Sequence, residues 1–172
     1  AVRNHPRQPA DADGSPDVTT AEVKKALAAC KLESSPGLDG LPVPFYKYCQ
    51  DLLIPVLAKV FSAIGALAAT PTGFLDGVIV GIFKAGDATL AANYRPITLL
   101  NIDYRVLARV LANRLQEVLG GAISPTQTAF VKGRRIGHNI ITVQLLMHAL
   151  PSDSCVVAAL LDFTKAYDTI DR

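Results

Sequence analysis

Cysteine and histidine are scarce in this chain of 172 residues, with three of each. Cys30, Cys49 and Cys155 form no C-x-x-C pair and the histidines are scattered, so no zinc cluster can be assembled from local spacing, and reduced thiols are expected. No charged leader followed by an apolar core and a small-residue cleavage site opens the sequence, so secretion is not expected. Internal repeats and low-complexity blocks are also lacking. What is present is apolar: half of the residues are hydrophobic and the mean hydropathy is +0.29, enough for one sizeable globular core.

Neither sign of charge dominates overall, with 17 Lys and Arg against 15 Asp and Glu. The distribution is uneven. Residues 84–135 hold eight basic side chains against three acids, a net +5, whereas residues 1–83 sum to −1 and residues 136–172 to −2. A basic middle third suits a groove for a polyanion such as nucleic acid, although a solvated helix face has the same composition. The longest apolar run, residues 52–69, approaches the roughly 20 residues a bilayer crossing needs. Lys59 interrupts it and Pro55 falls in its first turn, while Val56, Val60, Phe61, Ile64 and Leu67 recur at helical spacing, which favours a core helix over a membrane span.

Residues 1–18 carry no apolar period and read as a flexible lead-in, so residues 19–172 hold the folded part. Thr19 and Glu22 form a capping-box pattern ahead of a helix to about Lys31. Glycines and prolines make residues 34–44 a loop, and a second helical region follows over 44–69, with a break near Gln50. Residues 77–84 and 94–100 alternate and branch like two strands of a hairpin. Asn101 is positioned to cap a helix with Ile102, Val106, Val110, Leu111, Leu115 and Val118 on one face, stopped by Gly120 and Gly121. Residues 123–135 read as a loop or short strand, residues 139–150 as an apolar helix, and residues 156–161 as a buried strand that delivers Asp162 at its end. A strand-end carboxylate is costly unless it is capping, paired or bound to a metal.

Four segments in this order, SSPGLDGLPVPFYK, NYRPITLLNIDYRVLARVLANRL, SPTQTAFVKGRRIGHNI and CVVAALLDFTKAYD, resemble the reverse transcriptases of LINE-type (non-LTR) retrotransposons. The resemblance covers residues 34–172. It implies an α+β fold, the fingers subdomain and first palm strand of a right-hand polymerase, incomplete in this chain. By resemblance Asp162 is the catalytic and metal-binding carboxylate, with the Phe163 carbonyl as a second ligand for Mg²⁺ or Mn²⁺, and Tyr167 is the aromatic that rejects the ribose 2′-hydroxyl. Asp168 reads as a structural carboxylate. Arg95 maps onto the family's triphosphate-binding arginine. Lys84 either joins it there or is a solvated strand-end lysine.

Lys132, Arg134 and Arg135 surround Gly133 on one loop and are candidates to grip a nucleic-acid backbone. Here the chain departs from the family twice: Ala129 stands where Gly is usual before Phe130, and His138, at a helix N-terminus, where Asp is usual. The family's Tyr-x-Asp-Asp hairpin does not occur in the sequence, so the chain by itself is expected not to polymerise DNA. An RNA template, a DNA primer and deoxynucleoside triphosphates are the implied partners, with no membrane. The implied location is intracellular, cytoplasmic and nuclear in an intact parent. The competing expectation is a non-catalytic remnant whose basic third binds RNA.

Overall fold

The computed structural model describes residues 17–151 together with Ala159, Leu161 and Asp162. All but Asp17 and Val18 of the expected lead-in lies outside the described residues. Two compact units divide at Ser124: Ala1–Ser124 and Pro125–Arg172.

In the first unit, helix α1 spans Thr20–Ala28, shorter than the expected end near Lys31. Its capping box is complete: the Glu22 amide donates to the Thr19 hydroxyl oxygen at 3.3 Å, and the Glu22 carboxylate accepts from the Thr19 amide at 2.8 Å. At the other end Lys47 Nζ donates to the carbonyls of Ala28 (3.2 Å) and Cys30 (2.9 Å), a cation on exposed helix-end oxygens.

Helices α2 (Val43–Tyr48) and α3 (Gln50–Leu67) follow, separated at Cys49. The expected break is therefore present. Pro55 sits in the second turn of α3 rather than its first, and the helix continues through it. Among the described residues α3 is the one helix long and apolar enough to cross a membrane. Ile54, Leu57, Ala58 and Phe61 of α3 are buried in the core. The buried stripe is rotated from the expected one, for Val56 and Leu67 are exposed while Val60 and Ile64 are only partly buried.

Strands β1 (Gly77–Phe83) and β2 (Tyr94–Leu100) pair antiparallel, with Gly77 opposite Leu100 and Phe83 opposite Tyr94. Helix α4 spans Ile102–Ala122 and passes through Gly120 and Gly121 rather than stopping there. A helical glycine costs about 1 kcal/mol against alanine, a weaker penalty than a full stop. Its apolar face is fully covered in the first half alone: Ile102, Val106 and Val110 are fully buried, whereas Leu111 and Leu115 are exposed and Val118 is half-buried.

The core joins α1, α2, α3, Phe74 and the start of α4, centred on Val23, Leu27, Val43, Phe61, Ile102, Val106 and Val110. Each such side chain contributes about 1.5–3 kcal/mol through burial. Phe74, in the turn before β1, packs its ring 6.5 Å from Phe61 and 5.7 Å from Tyr104. Arg114 ties α4 to α1: its Nε lies 2.6 Å from Glu22 Oε1, and Nη2 donates to Glu22 Oε2 at 3.0 Å and to the Asp17 carbonyl at 2.6 Å. The fork-on-fork contact with Arg114 holds the Glu22 carboxyl down at about 2.

In the second unit, helix α5 (Gly137–Ala149) begins two residues earlier than expected, with His138 in its first turn. Every residue from His138 to Ala149 is exposed although the helix is largely apolar. Most of the expected strand over 156–161 lies outside the described residues. Ala159 and Leu161, which it should bury, are irregular and exposed. A strand is held by neighbours that take its backbone hydrogen bonds, and among the described residues the sheet contains only β1 and β2.

Candidate nucleotide and nucleic-acid interface

The hairpin register decides where its cations point. Directly opposed residues of an antiparallel pair project from the same face, as do residues two apart on one strand. Ile82 opposes Arg95, and the Lys84 amide donates to the Asn93 carbonyl at 2.8 Å, which carries the ladder one rung past β1. Lys84 and Arg95 therefore share a face with Val78, Val80, Ile82, Ile97 and Leu99. Both cations are exposed, and neither engages an ion pair among the described residues.

The loop between the strands is ordered by its own polar groups. Asp87 Oδ1 accepts from the amide and hydroxyl of Thr89 at 2.8 and 2.7 Å, and these bonds hold the Asp87 carboxyl below its ordinary pKa. Asn93 Nδ2 donates to the Asp87 carbonyl at 2.8 Å, and the Tyr94 hydroxyl to the Ala88 carbonyl at 3.0 Å. On the opposite face Tyr94 meets Phe83 edge-on with ring centroids 5.5 Å apart, and a Cβ on Gly81 would lie 3.4 Å from the Tyr94 ring. Lys84 and Arg95 thus stand at the end of a braced ribbon, which suits a triphosphate and equally permits Lys84 to be a solvated strand-end lysine.

In the second unit the three loop cations all lie around Gly133. Arg134 Nη1 donates to the Gln127 carbonyl at 2.7 Å, so this side chain braces its own loop, while Lys132 and Arg135 are exposed. The left-handed positions are Phe130 (φ 61°) and Gly133 (φ 80°). Ala129 is not among them, so replacing the family's usual glycine there carries no left-handed strain. Phe130 is 97% exposed.

Asp162 is exposed and irregular. Phe163, Tyr167 and Asp168 lie outside the described residues. No group of three or more His, Cys, Asp or Glu that could hold a metal ion occurs among the described residues. Asp162 therefore offers one carboxylate, and a divalent cation needs further oxygen ligands than this.

A second polar constellation lies where the sequence alone suggests a loop and a helix cap. Asn101 holds the N-cap position of α4, yet its side chain makes no capping bond. Its Oδ1 instead accepts from the Asp39 amide at 3.3 Å, across 62 residues of sequence. Arg105 Nη1 donates to the Ser35 carbonyl at 3.2 Å. The Tyr46 hydroxyl bonds the Asp39 side chain, and burial first, then the charges of Asp103 and Asp39, raise its pKa above the usual tyrosine range. Burial also raises Asp103, against the pull of the Tyr104 amide that donates to its Oδ1 at 2.7 Å. The two glycines of PGLDG were the available signal, because paired glycines mark tight or closely approached backbone.

Comparison with known proteins places these features in a family. Residues 82–172 match the family described as reverse transcriptase (RNA-dependent DNA polymerase). The chain is 34% identical to the Transposon TX1 uncharacterized 149 kDa protein of Xenopus laevis, over 90% of this chain and 12% of that protein. It is 24% identical to the Retrovirus-related Pol polyprotein from type-1 retrotransposable element R2 of Nasonia vitripennis, over 90% of the chain and 14% of that protein. It is also 24% identical to the Probable RNA-directed DNA polymerase from transposon BS of Drosophila melanogaster, over 89% and 17%. The chain thus spans less than a fifth of each of these relatives. The match begins inside β1 and takes in Lys84, Arg95, the basic loop and Asp162, and the chain belongs to the reverse transcriptase family, in its non-LTR retrotransposon branch.

Proposed function

We propose that this chain forms the fingers and the start of the palm of an RNA-directed DNA polymerase that copies a retrotransposon RNA from a DNA primer. The observation that carries the proposal is the shared face of Lys84 and Arg95, two exposed cations at the end of a braced hairpin inside the family match. Such a pair suits an incoming deoxynucleoside triphosphate, with Arg95 able to hold two phosphate oxygens at once and Lys84 adding a point charge. Lys132 and Arg135 would contact template or primer phosphates, while Arg134 would hold the loop that presents them. Tyr167 would exclude the ribose 2′-hydroxyl.

Reverse transcriptases generally use divalent metal ions, and Mg²⁺ or Mn²⁺ would polarise the reacting phosphate when bound. Asp162 would contribute one carboxylate, with the Phe163 carbonyl beside it. The family's Tyr-x-Asp-Asp hairpin does not occur in the sequence, so the isolated chain is proposed to be inactive in primer extension. An intracellular site of action, cytoplasmic and nuclear, fits the proposed substrates.

In a polymerase that contains this chain, Asp162→Asn should abolish extension of a DNA primer on an RNA template, with template affinity within about twofold of the parent. Unchanged extension would remove Asp162 from catalysis. Mg²⁺-independent, salt-sensitive RNA binding by a polypeptide that never extends a primer would instead favour the non-catalytic remnant.

A further inference from the structure

Among the described residues of the first unit, the hairpin that carries Lys84 and Arg95 has no extensive interface with a helix, for the substantial packing of its strands is against each other. Residues 34–35 face β2 across a cleft of about 380 Å³, lined also by Ile97, Leu100 and Arg105, instead of a packed contact. The direction of the hairpin is therefore set at its two roots. The first is anchored by Phe74, which is 6% exposed and lies between Phe61 and Tyr104. The second is Asn101, the single residue between the end of β2 and the start of α4.

At that second root the loop of residues 34–41 comes down on the backbone itself. A Cβ on Gly37 would lie 2.7 Å from Asn101 Cα and closer still to the Asn101 amide nitrogen and Oδ1, so only glycine fits. Asn101 Oδ1 holds the Asp39 amide, Arg105 holds the Ser35 carbonyl, and Gly40 (φ 67°) turns the loop back so that the Leu41 amide donates to Asp39 Oδ1 at 3.0 Å. Asn101 gives its oxygen to this loop in place of its own helix. A side chain used this way fixes where the strand leaves the core.

Leverage makes the fixation matter. Arg95 lies six residues from Asn101, about 20 Å along an extended strand at roughly 3.3 Å per residue. A 10° swing at the root would carry the cation through about 3.5 Å, and a displacement of about 1 Å already costs some 10²-fold where reacting groups must be aligned.

We infer that Gly37 and Asn101 form a latch that aims the β hairpin, and that Asn101 is a positioning residue for the triphosphate-binding cations. The second half of this statement rests on the proposed nucleotide function, and the first does not. Amide dipolar couplings of the weakly aligned 172-residue chain report hairpin and helix orientation separately. In the parent, β1 and β2 should fit the same alignment as α1, α3 and α4. In Asn101→Ala and Gly37→Ala the hairpin couplings should fall at least twofold while the helical couplings hold, and Asn101→Asp, which keeps the acceptor oxygen, should restore them.

Hairpin couplings unchanged in both Asn101→Ala and Gly37→Ala would overturn the latch, as would an equal collapse of helical and hairpin couplings in Asn101→Ala. Titration with Mg²⁺-dATP, read at the Arg95 Nε resonance, separates the two halves. An apparent Kd about tenfold weaker in Asn101→Ala supports the positioning role, and an unchanged Kd beside reduced couplings overturns it. No response to dATP in the parent would overturn Lys84 and Arg95 as a nucleotide site of this chain on its own, and with it the positioning role, and leave the latch to be judged on the couplings alone.

Discussion

The hairpin and helix α1 invert the usual link between apolarity and burial. Strand β1, GVIVGIF, has no polar side chain, and all seven of its residues are exposed. Helix α1, TAEVKKALA, is far less apolar, yet Val23, Ala26 and Leu27 are almost completely buried. Hydrophobic sequence alone does not produce burial. A neighbour of matching shape does, and α1 has α3 and α4 where each strand has chiefly its partner strand. The helices hold the fold, and the exposed ribbon carries Lys84 and Arg95, the cations proposed to bind the nucleotide.

Substitutions on the two sides should separate in the same way. The largest expected effect on stability is at the centre of the helical core, where Phe61→Ala removes a side chain that is 1% exposed. It should lower unfolding free energy by about 3–5 kcal/mol in urea titration, and a loss below about 1 kcal/mol would mean that α3 does not pack as described. Next comes Glu22→Gln, which keeps the cap geometry and removes the charge facing Arg114. This should cost about 1–2 kcal/mol at pH 7 after allowance for partial solvent exposure.

The pH dependence of that pair has a definite sign. The Glu22 carboxyl is depressed from 4.5 to about 2, so its contribution is complete above pH 4.5 and is lost as pH falls through 2. Glu22→Gln should flatten stability across that window. A slope identical to the parent would assign acid sensitivity elsewhere. The smallest effect should be at Asp103, whose pKa is raised, chiefly by burial, so its contribution is present at low pH and is lost as pH rises through the folded value. Asp103→Asn relieves that cost and gives up a favourable acid in the first turn of α4, terms that nearly cancel and should leave a net change within about 0.5 kcal/mol. A loss above about 1 kcal/mol would show that the charge itself holds the helix start.

Features set by nearest neighbours were legible in the sequence. The Thr19 and Glu22 cap, the break before α3 and the β1 and β2 hairpin all follow from residues within a few positions of one another. Asn101 was legible as a helix boundary but not as an acceptor for Asp39, because the choice between its own helix and a loop 62 residues away is settled by tertiary approach. The stop at Gly120 and Gly121 failed for the complementary reason, since a weak local preference cannot by itself end a helix. Lys84 and Arg95 were named from resemblance, and their common face emerged only from the strand register.

The proposed separation of stability from chemistry is tested most directly by Arg95→Ala, assayed for deoxynucleoside triphosphate KM in a polymerase containing this chain and for thermal unfolding in the 172-residue chain. We predict a KM about 10-fold to 100-fold higher, as expected for losing a charged phosphate contact of roughly 1.5–3 kcal/mol, with Tm within about 1 °C of the parent. An unchanged KM together with a Tm lowered by several degrees would contradict the account and make the hairpin a structural element.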